Sequence, residues 1–356
     1  MSDSKPKIEF AKHWRAELVD VAHALAEVGL GRVEVVGGGR VLGARGRAPE
    51  ILVLSDPPRA DETEMRERKP TARLWWNDAP EVEEAAQLGR IRAHELNVVF
   101  FPETAATCRA HGFAVLEISY AFAIPTRLVG SSRTRATYTG EVDTTDDCFA
   151  AYRGSRAREL SALATEIAAA VVTGDLALVA AAEAATAGGA EGRDERDGVL
   201  WAVRNRVRFQ LMDAIIRSVP GQVLLRGTDW RQHGFPASRT PLRRMTRRRS
   251  YRRSRTALDF GAKSGNAVLS PRSAEILAVG GGLVQFDSGA PIPEMMSTMT
   301  SRQASSASTL VDVVVRDLGL EPAAALTVRQ TLHREYLEVR RSSSEQLLDA
   351  LLRHAG

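Results

Sequence analysis

Asn266 to Phe286 reads NAVLSPRSAEILAVGGGLVQF, and several local rules agree on one geometry there. Ser270 is a capping residue, Pro271 suits a first helical position, and Gly280 ends the helix. The predicted helix Pro271 to Val279 is followed by a glycine run and by the apolar strand Leu283 to Phe286. It opens after a strand-like run, so its free amide groups face the carboxyl edge of a sheet. Anions bind at such an edge, and in an α/β fold nucleotides do. Arg272 and Glu275 are three apart and share a face near that end; the arginine suits phosphate, the carboxylate a ribose diol. The plainer alternative is a capped helix with an ion pair worth tenths of a kcal/mol.

Upstream, the pattern alternates between helix and strand as in βα units around a parallel sheet. Leu18, Val21, Ala22, Leu25 and Val28 form one helical stripe. Short apolar runs at Val33 to Val36, Ile51 to Leu54, Ala72 to Trp76, Val98 to Phe101 and Ala114 to Ile118 predict strands, and Glu81 to Leu96 predicts a helix. Ile124 to Arg135 is turn-rich and reads as a linker, after which Ala136 to Thr139 runs into Gly140. Two long helices follow, one carrying Leu160 to Val171 and one Leu200 to Ile215, with TAGGAEGRDERDG between them as a polar loop. Strands are predicted at Gln222 to Leu225, Ala257 to Phe260 and Leu283 to Phe286, and helices at Leu310 to Leu318, Ala323 to Val339 and, beyond a Ser run, Leu347 to Leu352. The expected domains are 1–130, 131–340 and a helical tail, 341–356.

The 356 residues are 44% hydrophobic and 26% charged, an ordinary globular composition. No run is long enough for a transmembrane helix and the N-terminus lacks the apolar core of a signal peptide. Two cysteines, Cys108 and Cys148, provide neither a disulfide framework nor a cysteine zinc cluster, so a reducing cytoplasm is expected. The net charge of +4 is unevenly placed: Arg239 to Arg255 holds nine arginines and no acid, leaving the rest net acidic. This segment suits phosphates of nucleic acid, an anionic membrane surface or a polyanionic acceptor; its plain alternative is a solvated basic helix.

Tyr251, LDFGAKSG, Ser270, Arg272, Glu275 and the glycine run before a strand, in that order, resemble the C-terminal half of the CgeB-like, spore-maturation type glycosyltransferases. YTGEV at Tyr138 to Val142, Gly227 and Trp230 in LLRGTDW, the helix with Arg204 and Arg208, and LWWNDAP at Leu74 to Pro80 extend the similarity over most of the chain. The resemblance implies an α/β protein of the GT-B fold: two Rossmann-like domains with a cleft between them and an extra helical segment in the C-terminal one. It implies a glycosyltransferase that takes a nucleotide-diphosphate sugar as donor substrate, with no cofactor and no metal, of the kind used in polysaccharide biosynthesis. Carried over, Glu275 would hold the donor ribose, Ser270 at the helix end and Arg272 the diphosphate, Gly140 would let the backbone approach the donor, and Lys263 would add a cation. Arg247, Arg248 and Arg249 would face an anionic acceptor. One departure stands out: where related retaining enzymes place a second Glu, this chain has Ala267, so the stereochemistry is open.

An inverting reaction needs a general base, expected on the first domain. Asp78 in WWNDAP and Asp56 in SDPPRAD both follow apparent strands; Glu103 and His111 are weaker candidates. The glycines Gly37 to Gly39 make no clean dinucleotide fingerprint and read better as a loop of close approach. The competing function is a non-catalytic GT-B-like protein whose Arg239–Arg255 segment holds an anionic polymer such as nucleic acid. A sugar-nucleotide epimerase is disfavoured, because the fingerprint and a Tyr-x-x-x-Lys pair are missing.

Overall fold

The computed structural model describes residues 8–12, 16–28, 34–37, 51–55, 71–75, 79–92, 94–127, 129–140, 142, 147–152, 154–227, 230–235, 237–238, 244–261, 269–286 and 292–355. The chain forms two compact units: Met1–Ile124 with Ser264–Ala274 and Tyr336–Gly356, and Pro125–Lys263 with Glu275–Glu335.

The first unit holds a six-stranded sheet whose strands are β1 (Ile8–Lys12), β2 (Glu34–Gly37), β3 (Ile51–Ser55), β4 (Thr71–Trp75), β5 (Leu96–Val99) and β6 (Ala114–Glu117). The order is β2-β1-β3-β4-β5-β6 and every pairing is parallel. Such strands are buried on both faces, which is why Ala72, Leu74, Val98 and Val99 all lie inside. Helices α1 (Ala16–Glu27), α2 (Ala79–Gln87) and α3 (Pro102–Ala110) lie in the β1–β2, β4–β5 and β5–β6 crossovers. Trp75 donates its indole N–H to Asn97 Oδ1 at 2.8 Å, and buried Arg73 lies 3.5 Å from buried Glu95, so the polar groups inside this sheet are paired across neighbouring strands.

The second unit holds β7 (Arg133–Thr139), β8 (Val223–Arg226), β9 (Ala237–Ser238), β10 (Ser254–Asp259), β11 (Leu283–Phe286) and β12 (Gln303–Ala304). Their order is β12-β11-β10-β7-β8-β9, again all parallel. Counted within the unit this is 3-2-1-4-5-6, a doubly wound order that reverses direction between β7 and β10. Helices α4 (Arg156–Thr173), α5 (Ala181–Ala187), α6 (Gly192–Ser218) and α10 (Ala307–Gly319) build one core with Ala136, Tyr138, Leu225, Leu258 and Val284 of the sheet. The opposite face of β7 carries Arg135, Thr137 and Thr139, because side chains alternate along a strand. Against that polar face packs α7 (Arg244–Arg253), the arginine helix; α8 (Pro271–Ala278), the short α9 (Ser297–Thr300) and α11 (Pro322–Ala355) complete the set.

Several expected boundaries move. The loop TAGGAEGRDERDG is helical from Gly192 onward, because Arg156 pairs with Glu195 in its first turn and fixes that end. The predicted helix Glu81 to Leu96 stops at Gln87, followed by Gly89 at φ 61°, and Leu96 opens a strand. The separate terminal helix is absent: α11 is one helix of 34 residues. Its Ser run does not interrupt it, since Ser344 donates its hydroxyl to Arg340 O at 2.6 Å within the helix. Strands β1, β9 and β12 were not foreseen, the last two being only two residues long.

Candidate functional site

The arginine helix has two working faces. Arg244, Arg247 and Tyr251 fall at i, i+3 and i+7, on one side. Arg247 Nε donates to Glu275 Oε2 at 2.5 Å, and Arg244 Nε lies 3.4 Å from Oε1 of the same carboxylate. Glu275, in α8, is only 3% exposed. Tyr251 is fully buried and its hydroxyl pairs with that of Thr139, while Ser254, just past the helix, pairs with Thr137 and accepts from Arg135 Nε at 3.3 Å. These contacts fix the rotation of the helix about its axis, so Met245, Arg248, Arg249 and Arg252 face the other way.

That second face lines a cavity of about 870 Å³, together with Thr126, Arg135, Arg226, Arg253 and Val279. Among the described residues, six arginines and no carboxylate line it. Burial, then the neighbouring cations Arg133, Arg226 and Arg253, hold the Arg135 guanidinium below its ordinary range. Arg226 Nε is buried with no hydrogen-bond partner. Behind the cavity Arg329 donates to the carbonyls of Gly280, Gly130 and Arg252 at 2.7, 2.8 and 2.8 Å, so even the fully buried cation here is held by backbone dipoles.

The donor residues expected from the sequence separate into distinct environments. Ser270 caps α8, accepting from Ser273 N at 3.0 Å, with Arg272 in the first turn. Glu275 follows one turn later, engaged with Arg247 and Arg244. Gly140 follows β7 beside the reversal of strand order, yet both its backbone groups are used: its N–H donates to Arg226 O at 3.0 Å and its carbonyl accepts from Trp230 Nε1 at 2.7 Å. A Cβ on Gly140 would lie 2.6 Å from the Tyr138 hydroxyl, so glycine is required there by the strand's own tyrosine. Lys263, Asp56 and Asp78 lie outside the described residues.

Of the weaker base candidates, Glu103 sits in the first turn of α3, and His111 caps its far end, 2.8 Å from Glu83 and stacked on Phe113. Two of the three expected acceptor arginines, Arg248 and Arg249, reach the cavity, whereas Arg247 is turned to Glu275. Sequence reasoning missed Arg135 and Arg226, whereas Arg252 and Arg253 fall within the Arg239–Arg255 segment it flagged without being singled out there. The signal for Arg133 and Arg135 was a basic alternation of period two at the start of a strand. Among the described residues no group of three or more His, Cys, Asp or Glu could hold a metal ion, and no helix is long and apolar enough to cross a membrane.

No protein-family model and no curated protein sequence matches the chain. Among solved structures, the chain is similar over 98% of its length and 99% of the other's to the DNA-modifying enzyme β-glucosyltransferase, crystallised with and without uridine diphosphoglucose, at TM-score 0.50 and 10% identity. A second similarity, covering 99% of this chain and 97% of the other, is to the N-terminal domain of Candida albicans trehalose-6-phosphate phosphatase, at TM-score 0.49 and 10% identity. At such identity the first likeness is one of fold: the chain has a glycosyltransferase-like fold. It does not reach the CgeB-like family in particular.

Proposed function

We propose that the chain is a glycosyltransferase that moves a sugar from a nucleotide-diphosphate donor to an acceptor. The observation that carries this reading is the parallel sheet of the second unit, whose order reverses between β7 and β10. Doubly wound sheets take nucleotides at the carboxyl edge beside such a reversal. The glycosyltransferase-like fold supports the same reaction class, and so do the short CgeB-like motifs.

In this reading the capped end of α8 with Ser270 and Arg272 meets the diphosphate, and Lys263 adds charge to it. Glu275 meets the ribose, and Arg244 and Arg247 hold that carboxylate in place. Gly140 contributes by leaving the strand end unobstructed. Negative charge grows on the diphosphate as the glycosidic bond breaks, and preformed cations and helix amides aimed at it lower the barrier. No metal or other cofactor is needed for that role. A carboxylate of the first unit, Asp78 before Asp56, takes the acceptor proton if the configuration inverts. Arg248 and Arg249 favour an anionic glycan, lipid or polymer as acceptor, including one at an anionic membrane surface.

The test is transfer of radiolabelled sugar from a panel of nucleotide sugars, with water as the default acceptor. Slow donor hydrolysis with one nucleotide sugar, abolished in Asp78→Asn or in Arg272→Gln, is the expected result. A second reading, a non-catalytic protein that binds a polyanion, draws on the carboxylate of Glu275 being already occupied by Arg247. Hydrolysis of none of the donors, with nucleotide binding lost as well, would favour it.

A further inference from the structure

The arginine-lined cavity differs in its lining from the expected donor edge. None of Gly140, Ser270, Arg272 and Glu275 lines it. Arg226 ends β8 at the carboxyl edge, but Arg135 is the third residue of β7 and Arg252 and Arg253 immediately precede β10, so the rest of this arginine wall lies toward the amino-terminal ends of the central strands. Nucleotide sites of doubly wound sheets occupy the opposite edge.

Its chemistry is one-sided. Among the described residues no carboxylate pairs with Arg135, Arg226, Arg249, Arg252 or Arg253, although elsewhere in this unit Arg156, Arg217 and Arg302 each have an acid. Gathering like charges around one concavity is unfavourable unless an anion shares it. Arg226 presents a buried Nε with no partner, and Arg135 is flanked by Arg226 and Arg253. The cation face is also built: Glu275 grips Arg244 and Arg247, and this turns Arg248, Arg249 and Arg252 into the cavity. At about 870 Å³ the space fits a small molecule, within the roughly 300–1,000 Å³ usual for such sites. Planar guanidinium forks suit phosphate oxygens.

We propose that this cavity binds a small ligand carrying two or more phosphate groups, at a site that none of the expected donor residues lines. The proposal gives Arg248 and Arg249 to this ligand in place of the acceptor, and otherwise does not depend on the transferase reading. Bound there, the ligand neutralises the mutual repulsion of Arg135, Arg226, Arg249, Arg252 and Arg253 and draws the arginine helix and β7 together.

The experiment is calorimetric titration of the full chain with inorganic tripolyphosphate at about 0.15 M salt. One saturable site is expected, weakened about tenfold in each of Arg249→Gln and Arg252→Gln, as loss of one charge-assisted contact implies. Both side chains reach solvent, so the variants keep the fold, which their unfolding midpoints verify. Arg217→Gln, an exposed arginine paired with Asp213 on α6, binds as the parent does. A nucleoside diphosphate held at the donor edge is bound equally by parent and variants, so the two sites fail or succeed separately. Absence of saturable binding, or equal affinity in parent and both cavity variants, overturns the proposal. So does a single-stranded oligonucleotide whose affinity grows with length and which tripolyphosphate does not displace.

Discussion

Glu275 shows how one carboxylate can be read two ways. Its spacing from Arg272 suggested a ribose ligand or a local ion pair; in the fold it grips Arg247 and Arg244 across from another helix. Removing one partner of a fully buried pair costs about 3–5 kcal/mol, but these arginines are 30% exposed, so Glu275→Gln should cost about 2 kcal/mol. Urea unfolding measures this; a loss below about 0.5 kcal/mol would mean that the pair contributes nothing. Gly140→Ala places a methyl against the Tyr138 hydroxyl and should destabilise by about 1–3 kcal/mol even without any ligand. An unchanged midpoint would show that Tyr138 moves freely. Burial raises the Cys108 thiol to about 12. Since the thiolate is the nucleophile, the folded protein should offer thiol reagents Cys148 quickly and Cys108 only after unfolding, as mass spectrometry after a short pulse at pH 8 would show. Because the folded-state pKa lies above the unfolded value of 9.0, this thiol's contribution to stability is full below pH 9 and is lost as pH rises toward 12.

At the scale of elements, what was legible in the sequence was local. Parallel strands read as short apolar runs because both faces are covered, and α8 announced itself by Ser270, Pro271 and Gly280. Less legible was anything that tertiary contacts decide. Strands β9 and β12 are two-residue edges held by their neighbours, with no pattern of their own. The break expected at Ser342 to Ser344 rested on serine's weak helix propensity, which packing of a long helix overrides. Ser342→Pro tests that directly: inside a continuous helix it should cost about 3 kcal/mol, whereas at a break it would be nearly neutral, and the midpoint of urea unfolding distinguishes the two. The arginine run was legible as charge and as helix, but its division into a face that grips Glu275 and a face that lines a cavity depends on a carboxylate 28 residues away from Arg247. No spacing rule supplies that.

For the whole molecule, two all-parallel six-stranded sheets with helices at their faces give a glycosyltransferase-like fold, and the proposed nucleotide site rests on the strand order of the second sheet. The candidate base is the part least accessible to this reasoning, since Asp56 and Asp78 follow strands β3 and β4 in segments outside the described residues. The central claim, a nucleotide-sugar donor site, is tested most directly by calorimetric titration with UDP, GDP, ADP, TDP and CMP of the parent and of Arg272→Gln. The account predicts that one of these nucleotides binds with one-to-one stoichiometry and that the variant weakens it about tenfold or more while remaining folded. A folded parent that binds none of the five would contradict it.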